Sequence, residues 1–325
     1  MTTLKLLRQF SLCENFSDEA LLELSQLCHA RRFSAGTYLL RQGDVARDAY
    51  AIVAGEVAVL RSLPGGGELP LGEVGPGGLV GELGLLADLH RVTSTRALSE
   101  VHTLVFERAT LMAAYRMGRP AVRDLLWAVL KRVCAQLRQL AQQLLQVLPA
   151  AAPWSPQPPL VQEPLFDYAR FLPLLPCAPA FGPGGLHQLV ALSTARPCAA
   201  GEIVFAAEAA ATGLALVVRG AVETVGMSAA PTVALQVFGP GAWCGLPAAL
   251  DRDQQGVAFR AREDSLLLVL SQSDLDSAWL GRDDFAAGLH LAVAEQLADS
   301  VLRLVNRLAQ HIGLQRAQAN LGHAA

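Results

Sequence analysis

The sequence predicts a mixed α+β protein, mainly β, built as two tandem jelly-roll-like antiparallel β-barrels. Each barrel is expected to be flanked by helices, with a long heptad-bearing helix after it. Three observations predict this fold class: β-rich runs at roughly 30–107 and 195–270, a proline-rich segment between them, and a repeated glycine pattern. Many short strands separated by Gly, Pro and Asp turns are typical of small antiparallel barrels.

Length and composition narrow the class of protein. The 325 residues fit about two domains. Hydrophobic residues make up 52% and charged residues 17%, which excludes a wholly disordered chain. The net charge of -3 lacks the basic excess of nucleic-acid-binding proteins. No apolar run approaches the ~20 residues of a membrane span, and the N-terminus has no signal-peptide pattern. We therefore expect a cytoplasmic protein, and the arginine-rich, alanine-rich composition suggests a bacterial one.

The elements of the first half can be placed in order. Ser17 is a suitable N-cap for a helix that begins at Asp18. Tyr50–Ala54 and Glu56–Leu60 fit strands of five to six residues. Pro120 lies near the first turn of a long helix. Its apolar residues follow a 3–4 spacing that predicts a heptad seam: Leu130, Val133, Leu137, Leu140, Leu144 and Val147.

A second heptad helix closes the other half, with Leu297, Val301, Leu304, Leu308 and Ile312. The pattern leaves two arrangements open. The helices could pair with each other, as an intramolecular pseudo-dimer or in a homodimer, or each could pack on its own barrel.

Six prolines lie between 149 and 164, and such a segment favours extended conformation. We therefore expect a first domain at 1–148, a linker at 149–164 and a second domain at 165–325.

The two halves resemble each other in sequence. Gly36 aligns with Gly201, and 51–57 align with 216–222 without a gap. After a slip of one residue, Gly75-Pro76-Gly77 aligns with Gly239-Pro240-Gly241, and Gly81 with Gly245. An ordered set of matches of this kind indicates an internal repeat.

The segment 80–97 carries the most informative motif, in which Gly81-Glu82-Leu83 precedes Arg91 at a fixed distance. Gly81 lets the backbone approach a ligand closely. The guanidinium of Arg91 can bind two phosphate oxygens, and an ionised Glu82 can accept hydrogen bonds from a ribose hydroxyl. These groups together suit a sugar-phosphate ligand.

This segment resembles the phosphate-binding cassette of the cyclic nucleotide-binding domain family, and the Glu82-to-Arg91 spacing fits without a gap. The resemblance covers about 5–145 well and 166–312 weakly. It implies that Glu82 binds the ribose 2′-hydroxyl, that Arg91 binds the cyclic phosphate, and that the amides of Gly81 to Leu83 add to the phosphate site. Val92 lacks the hydroxyl found in some cGMP-selective members, so cAMP is favoured over cGMP. Thr93 stands where the family usually has Ala.

The second half has lost this chemistry. Leu246 replaces Glu82, Pro247 replaces Leu83 and Gln255 replaces Arg91. Loss of two charge-assisted contacts costs a factor of about 100 or more in affinity. We expect no cyclic nucleotide in this domain, and a pocket filled by apolar side chains such as Trp243 and Leu246.

The resemblance also implies that the helix after the first barrel moves over the base as a lid. Trp127, Leu130, Cys134 and Gln136 are candidates for base or lid contacts. The ligand would shift this helix by its differential affinity for the two helix positions.

No catalytic motif, helix-turn-helix or metal-ligand spacing is evident, so we expect a binding protein with no cofactor, no metal and no direct DNA binding. The leading hypothesis is a cyclic-nucleotide receptor that signals to a separate effector protein. Two alternatives stay open: a ligand-free scaffold on the same fold, and a haem or redox sensor, for which the histidines and cysteines provide no convincing ligand pair.

Overall fold

The computed structural model describes residues 2–63, 66–148, 167–210, 212–226, 234–281 and 283–322. The chain divides into two compact units. The first comprises Met1–Arg132 and Val305–Ala325, and the second comprises Val133–Leu304.

These units differ from the predicted domain boundaries. Helix α5 (Pro120–Val147) contributes residues through Arg132 to the first unit and the rest to the second. Helix α10 (Asp284–Gly322) likewise belongs to the second unit through Leu304 and to the first unit beyond it. Helices α5 and α10 have 28 and 39 residues and are about 42 and 58 Å long. Each is longer than a barrel built from strands of about seven residues. The predicted linker at 149–164 lies outside the described residues.

Both units contain short strands and helices in the same order. Apart from α5 and α10, the elements of the first unit are α1 (Thr3–Leu7), α2 (Asp18–Gln26), β1 (Cys28–Phe33), β2 (Tyr38–Leu40), β3 (Asp48–Ala54), β4 (Val57–Ser62), β5 (Glu68–Val74), β6 (Leu79–Val80), α3 (Leu83–Leu86), β7 (Ser94–Ala97), β8 (Val101–Glu107) and α4 (Arg108–Arg116), with a 3-10 turn at Ser11–Cys13.

The remaining elements belong to the second unit: α6 (Tyr168–Phe171), a 3-10 turn at Leu172–Leu174, α7 (Ala178–Leu192), β9 (Ser193–Cys198), β10 (Ile203–Phe205), β11 (Gly213–Arg219), β12 (Val222–Val225), β13 (Ala234–Phe238), β14 (Trp243–Cys244), α8 (Leu246–Asp251), β15 (Ala258–Ala261), β16 (Ser265–Ser271) and α9 (Gln272–Leu280).

Each unit contains two four-stranded sheets, as the predicted jelly-roll-like fold requires. The first unit has the strand orders β1-β8-β3-β6 and β2-β7-β4-β5. The second has β9-β16-β11-β14 and β10-β15-β12-β13, which is the same topology strand for strand. The pairings within these sheets are antiparallel. The predicted α+β class with two tandem barrels is confirmed.

The internal repeat extends to the register of the strands. Asp48 begins β3 and Gly213 begins β11, 165 positions later, whereas β8 and β16 are 164 positions apart. The predicted one-residue slip therefore falls between these strands.

Apolar side chains from both sheets of the first unit form its core. Tyr50, Ile52, Val57, Val101 and Val105 are buried in one cluster there. The helix before the barrel begins at Asp18, and the hydroxyl of Ser17 accepts a hydrogen bond from the Ala20 N–H, as its predicted N-cap role requires.

Candidate cyclic-nucleotide site

The predicted cassette connects β6 to β7 in the first unit. Gly81 follows β6 with a φ of 82°, and Glu82 precedes the short helix α3. A Cβ atom at position 81 would lie 2.8 Å from Nη1 of Arg91 and 3.1 Å from the carbonyl oxygen of Asp48. Both the backbone conformation and the close approach therefore require glycine here.

The guanidinium of Arg91 is held inside the barrel. Arg91 is only 6% exposed. Its Nη1 donates to the carbonyl oxygen of Gly81 at 3.0 Å, and its Nη2 donates to Asp48 Oδ1 at 2.6 Å and to the Asp48 carbonyl oxygen. A guanidinium has five N–H donors, so these bonds leave donors for an anionic ligand. The structure thus brings together Gly81 and Arg91, two of the residues predicted to bind the ligand.

Asp48 is a residue of this site that the sequence analysis missed. Its Oδ1 pairs with Arg91, and its Oδ2 accepts a hydrogen bond of 2.8 Å from the hydroxyl of Tyr50. Burial and then the hydrogen bond to Asp48 raise the pKa of Tyr50 to about 12, so its hydroxyl stays protonated as the donor. The only available signal was an acidic residue just before a predicted strand.

Glu82 is the other charged member of the cassette. Burial raises the pKa of its carboxyl group, while its own backbone N–H, Arg132 and Arg91 act in the opposite direction. Burial is the largest of these effects, so the net shift favours the protonated carboxyl group, and the two guanidinium groups offset it only in part. In its ionised form the carboxylate would accept hydrogen bonds from hydroxyl donors.

The remaining cassette residues lie around these charges. Leu83 is buried, and Val92 and Thr93 are partly exposed. Arg61 on β4 donates to the carbonyl oxygen of Val92 and, at 2.6 Å, to Oδ1 of Asn306 on α10. This side chain therefore connects the end of the cassette to the part of α10 that belongs to the same unit.

The four candidate lid residues have different surroundings. Trp127 lines a groove of about 640 Å³ with residues of the N-terminal segment, and the Lys131 ammonium lies 5.3 Å from its ring centre. Leu130 is buried in the first unit. Cys134, which is fully buried, and Gln136 belong to the second unit. Of these residues, the structure places Trp127 in a groove whose lining includes no cassette residue.

The equivalent segment of the second unit keeps the backbone shape without the charges. Gly245 has a φ of 88°, and Leu246 begins α8. Gln255, at the position of Arg91, is 2% exposed, and its Nε2 donates to the Gly245 carbonyl oxygen at 3.2 Å. This bond repeats the one from Arg91 to Gly81. Asp48 is replaced by Gly213, so the second unit has lost both members of the ion pair.

Comparison with known proteins agrees with this geometry. The model of the family described as cyclic nucleotide-binding domain matches at 30–117 and again at 195–280, more than half of the chain. The chain belongs to the cyclic nucleotide-binding domain family. It carries two tandem copies of that domain, and the first copy contains the Glu82 and Arg91 that the resemblance assigns to ligand binding.

Individual relatives cover parts of the chain. The cyclic AMP receptor protein of Thermus thermophilus is 33% identical over 102 residues, which are 31% of this chain and 47% of that protein. The potassium channel KAT4 of Oryza sativa is 26% identical over 112 residues, 32% of this chain and 19% of the channel. The chain thus spans less than half the length of these two relatives.

Solved structures with similarity include the N-terminal domain of a Streptomyces coelicolor transcriptional regulator, at 30% identity, with coverage of 40% of this chain and 94% of that one and a TM-score of 0.37. The regulatory domain of Toxoplasma gondii PKA with cAMP has 16% identity, coverage of 85% and 90%, and a TM-score of 0.33.

Two further findings concern other classes of site. Within the described residues, no group of three or more His, Cys, Asp or Glu side chains could hold a metal ion. Among the described helices, none is both long and apolar enough to cross a bilayer.

Proposed function

We propose that this protein is a cyclic-nucleotide receptor that binds one ligand per chain, in the first domain, and prefers cAMP to cGMP. Arg91 would bind the cyclic phosphate, Glu82 the ribose 2′-hydroxyl, and the backbone amides of Gly81 to Leu83 would add to the phosphate site. The observation that carries the proposal is the contrast between the repeats: the charges occur together in the first cassette and are lost together from the second.

The geometry of Arg91 supports this function. The guanidinium is buried beside Asp48, so its orientation is set before a ligand arrives. A pre-positioned donor loses little conformational entropy on binding, which increases affinity. The preference for cAMP rests on Val92, whose side chain has no hydroxyl for a base contact.

The proposed output is a movement of helices that a separate effector protein detects. Arg61 hydrogen-bonds both the Val92 carbonyl and Asn306 of α10, and Ala309 of α10 packs with Leu63, which follows β4, and with Leu69 on β5. A ligand that shifts Val92 would change the first of these contacts and, through Arg61, the position of α10. The ligand would shift the free-energy difference between the two helix positions by the difference between its binding free energies for them.

Isothermal titration with cAMP and cGMP on the intact protein tests the proposal. We expect one site per chain, tighter binding of cAMP, and at least ~100-fold weaker binding in Arg91→Ala, since a charge-assisted bidentate contact is lost. The matched control is Gln255→Ala, the same position in the second domain, which should bind cAMP as the wild type does. A stoichiometry of two, or equal binding by Arg91→Ala, would refute the proposal.

A second candidate function is a ligand-free scaffold, and one observation favours it. Arg91 already has an acidic partner and a backbone acceptor inside the protein, which is also the arrangement of a purely structural arginine. Thermal unfolding separates the two functions. Binding at 100 times the dissociation constant adds about 2.7 kcal/mol to the free energy of unfolding, so a receptor melts at higher temperature with cAMP and a scaffold does not.

A further inference from the structure

We propose that strand β1 of the first domain is a docking edge for an extended acidic segment of a partner protein. The segment would add to the sheet as a further strand beside β1. Two features carry the inference: an open backbone edge, and two exposed arginines on it that form no ion pair. The inference concerns a protein surface and does not depend on nucleotide binding.

The outer edge of β1 is open in the part of the chain that the structure describes. In the strand order β1-β8-β3-β6, β1 pairs on one side only, with β8. Its six residues follow one register with β8 from Cys28 to Phe33. Residues 29–32 are all exposed, including Ala30, whose small side chain cannot shield the backbone. Unpaired N–H and C=O groups along such an edge can accept another strand.

The other long edge strands contain a proline, whereas β1 does not. β9, the equivalent edge of the second domain, contains Pro197, and β5 contains Pro70. Proline has no N–H and cannot donate to an added strand. Among the described edge strands of six or more residues, β1 alone has a backbone donor at every position. The first domain thus keeps open an edge that the second domain has closed.

The repeat also indicates which backbone groups of β1 point outwards. Pro197 lies opposite Leu266 of β16, and Arg32 occupies the same register position opposite His102 of β8. A proline within a sheet is tolerated where its nitrogen faces away from the neighbouring strand. The N–H of Arg32 therefore faces the open edge, and because backbone groups alternate along a strand, so does that of Ala30.

Charge selects the strand that would occupy this edge. Arg31 and Arg32 are exposed, and neither forms an ion pair with a carboxylate of the described residues. The carboxylates of Glu100 and Glu107, which flank or end β8, lie 3.1 and 4.0 Å from histidine rings instead. Opposite charges on neighbouring strands stabilise a sheet. Two consecutive acidic residues in an added strand would place one carboxylate beside each arginine, on opposite faces of the sheet.

The same charges disfavour a second copy of this chain at this edge. Pairing of β1 with β1 of another copy would bring four arginines together, and like charges on neighbouring strands are destabilising. The acidic edge strand β5 has its glutamates at 68 and 73, with Pro70 between them. That spacing does not match the adjacent positions of Arg31 and Arg32, so a partner segment with neighbouring carboxylates is the better fit.

Fluorescence anisotropy of a labelled peptide measures the interaction with the full-length protein. The probe is the hexapeptide Thr-Val-Glu-Glu-Val-Thr with blocked ends, and the control peptide has Gln-Gln in place of Glu-Glu. We expect saturable binding below roughly 1 mM, since so short a peptide binds weakly. The acidic peptide should bind roughly three- to tenfold more tightly than the control. Hydrogen exchange of the amides in 28–33 should slow in the complex, because outward N–H groups become bonded.

Variants at position 32 separate the contribution of the backbone from that of charge. Arg32→Gln removes one cation, whereas Arg32→Pro also removes the outward N–H, as Pro197 does in the second domain. Arg32→Pro should bind the acidic peptide at least roughly threefold more weakly than Arg32→Gln, because one backbone hydrogen bond is lost. Arg116→Gln changes an exposed arginine on α4 and should bind as the wild type does. A thermal melt shows whether each variant is folded.

Four results would overturn the proposal. Three concern the peptide: equal affinity for the acidic and control peptides, equal binding by folded Arg32→Pro and Arg32→Gln, or unchanged hydrogen exchange in 28–33. The fourth is self-association in sedimentation that Arg32→Pro abolishes, since a second copy of the chain would then occupy the edge.

Discussion

The two domains share one strand topology and differ in one network of side chains. In the first, Asp48, Tyr50 and Arg91 are joined by hydrogen bonds, and Glu82 lies close to Arg91. The corresponding positions in the second domain hold Gly213, Ala215, Gln255 and Leu246. All four polar groups have changed, although these positions are far apart in the sequence.

The pattern of loss has a physical reason. A buried arginine without its carboxylate, or the reverse, leaves an uncompensated charge, which is strongly destabilising. Members of such a network therefore tend to be lost together. The hydrogen bond to the carbonyl of residue 81 or 245 remains, because it satisfies a backbone acceptor that is half-buried in the first domain and buried in the second.

The largest expected effect comes from adding a side chain at Gly213. Gly213→Ala should lower the free energy of unfolding by about 2–4 kcal/mol, because a Cβ there would lie 2.1 Å from the Leu270 carbonyl oxygen at a φ of 147°. Urea denaturation measures this change. Gly239→Ala, which has open space and an ordinary φ, should change stability by less than about 1 kcal/mol.

This prediction also tests whether the second site can be restored. If Gly213→Ala is as stable as the wild type, the backbone of β11 tolerates a side chain at this position. The conformation of β11 would then not explain why the second domain lacks the ion pair. The two domains would then differ at this position in the side chain alone.

A smaller effect is expected from Asp48→Asn in the first domain. The amide keeps the shape but leaves Arg91 without its counter-charge, so stability should fall by about 2 kcal/mol. Affinity for cAMP should fall roughly three- to tenfold, since the guanidinium is less well oriented. Thermal unfolding and titration calorimetry measure the two changes.

The control for this variant is Asp44→Asn, which alters an exposed carboxylate in the preceding turn. It should leave both quantities unchanged. Unaltered stability in Asp48→Asn would mean that the backbone carbonyls, rather than the ion pair, hold Arg91.

Much of this organisation can be predicted from sequence, because it depends on local pattern. The repeat, its one-residue slip, the Ser17 cap and the cassette glycine are each encoded in short stretches of residues. The candidate charges at positions 82 and 91 also follow from a contiguous motif.

The features that could not be predicted depend on long-range packing. Asp48 meets Arg91 across 43 positions, and Arg138 meets Asp251 across 113. Only the sheet register and the helix position bring these charges together. The heptad pattern similarly identified α5 without indicating that its residues are divided between two units at Arg132.

The smallest expected effect is the contribution of Glu82 to the pH dependence of stability. Its counterpart in the second domain, Leu246, cannot titrate. Burial raises the pKa of Glu82 above the ordinary value of 4.5. A raised carboxyl pKa in the folded state means that stability is greatest at acidic pH and falls as pH rises through that pKa. Glu82→Gln should therefore remove this loss, so that the stability of the variant relative to the wild type increases with pH from about 4.5 upwards.

Ligand binding should have the opposite pH dependence. The ribose hydroxyl donates best to an ionised Glu82, so cAMP affinity of the wild type should rise over the same interval, while that of Glu82→Gln stays weak and flat. Denaturation and calorimetry in a series of buffers measure both trends, with the exposed Glu14→Gln as control. Parallel pH profiles for the wild type and Glu82→Gln would show that this carboxylate does not titrate in the site, and the two cassettes would then differ functionally through Arg91 alone.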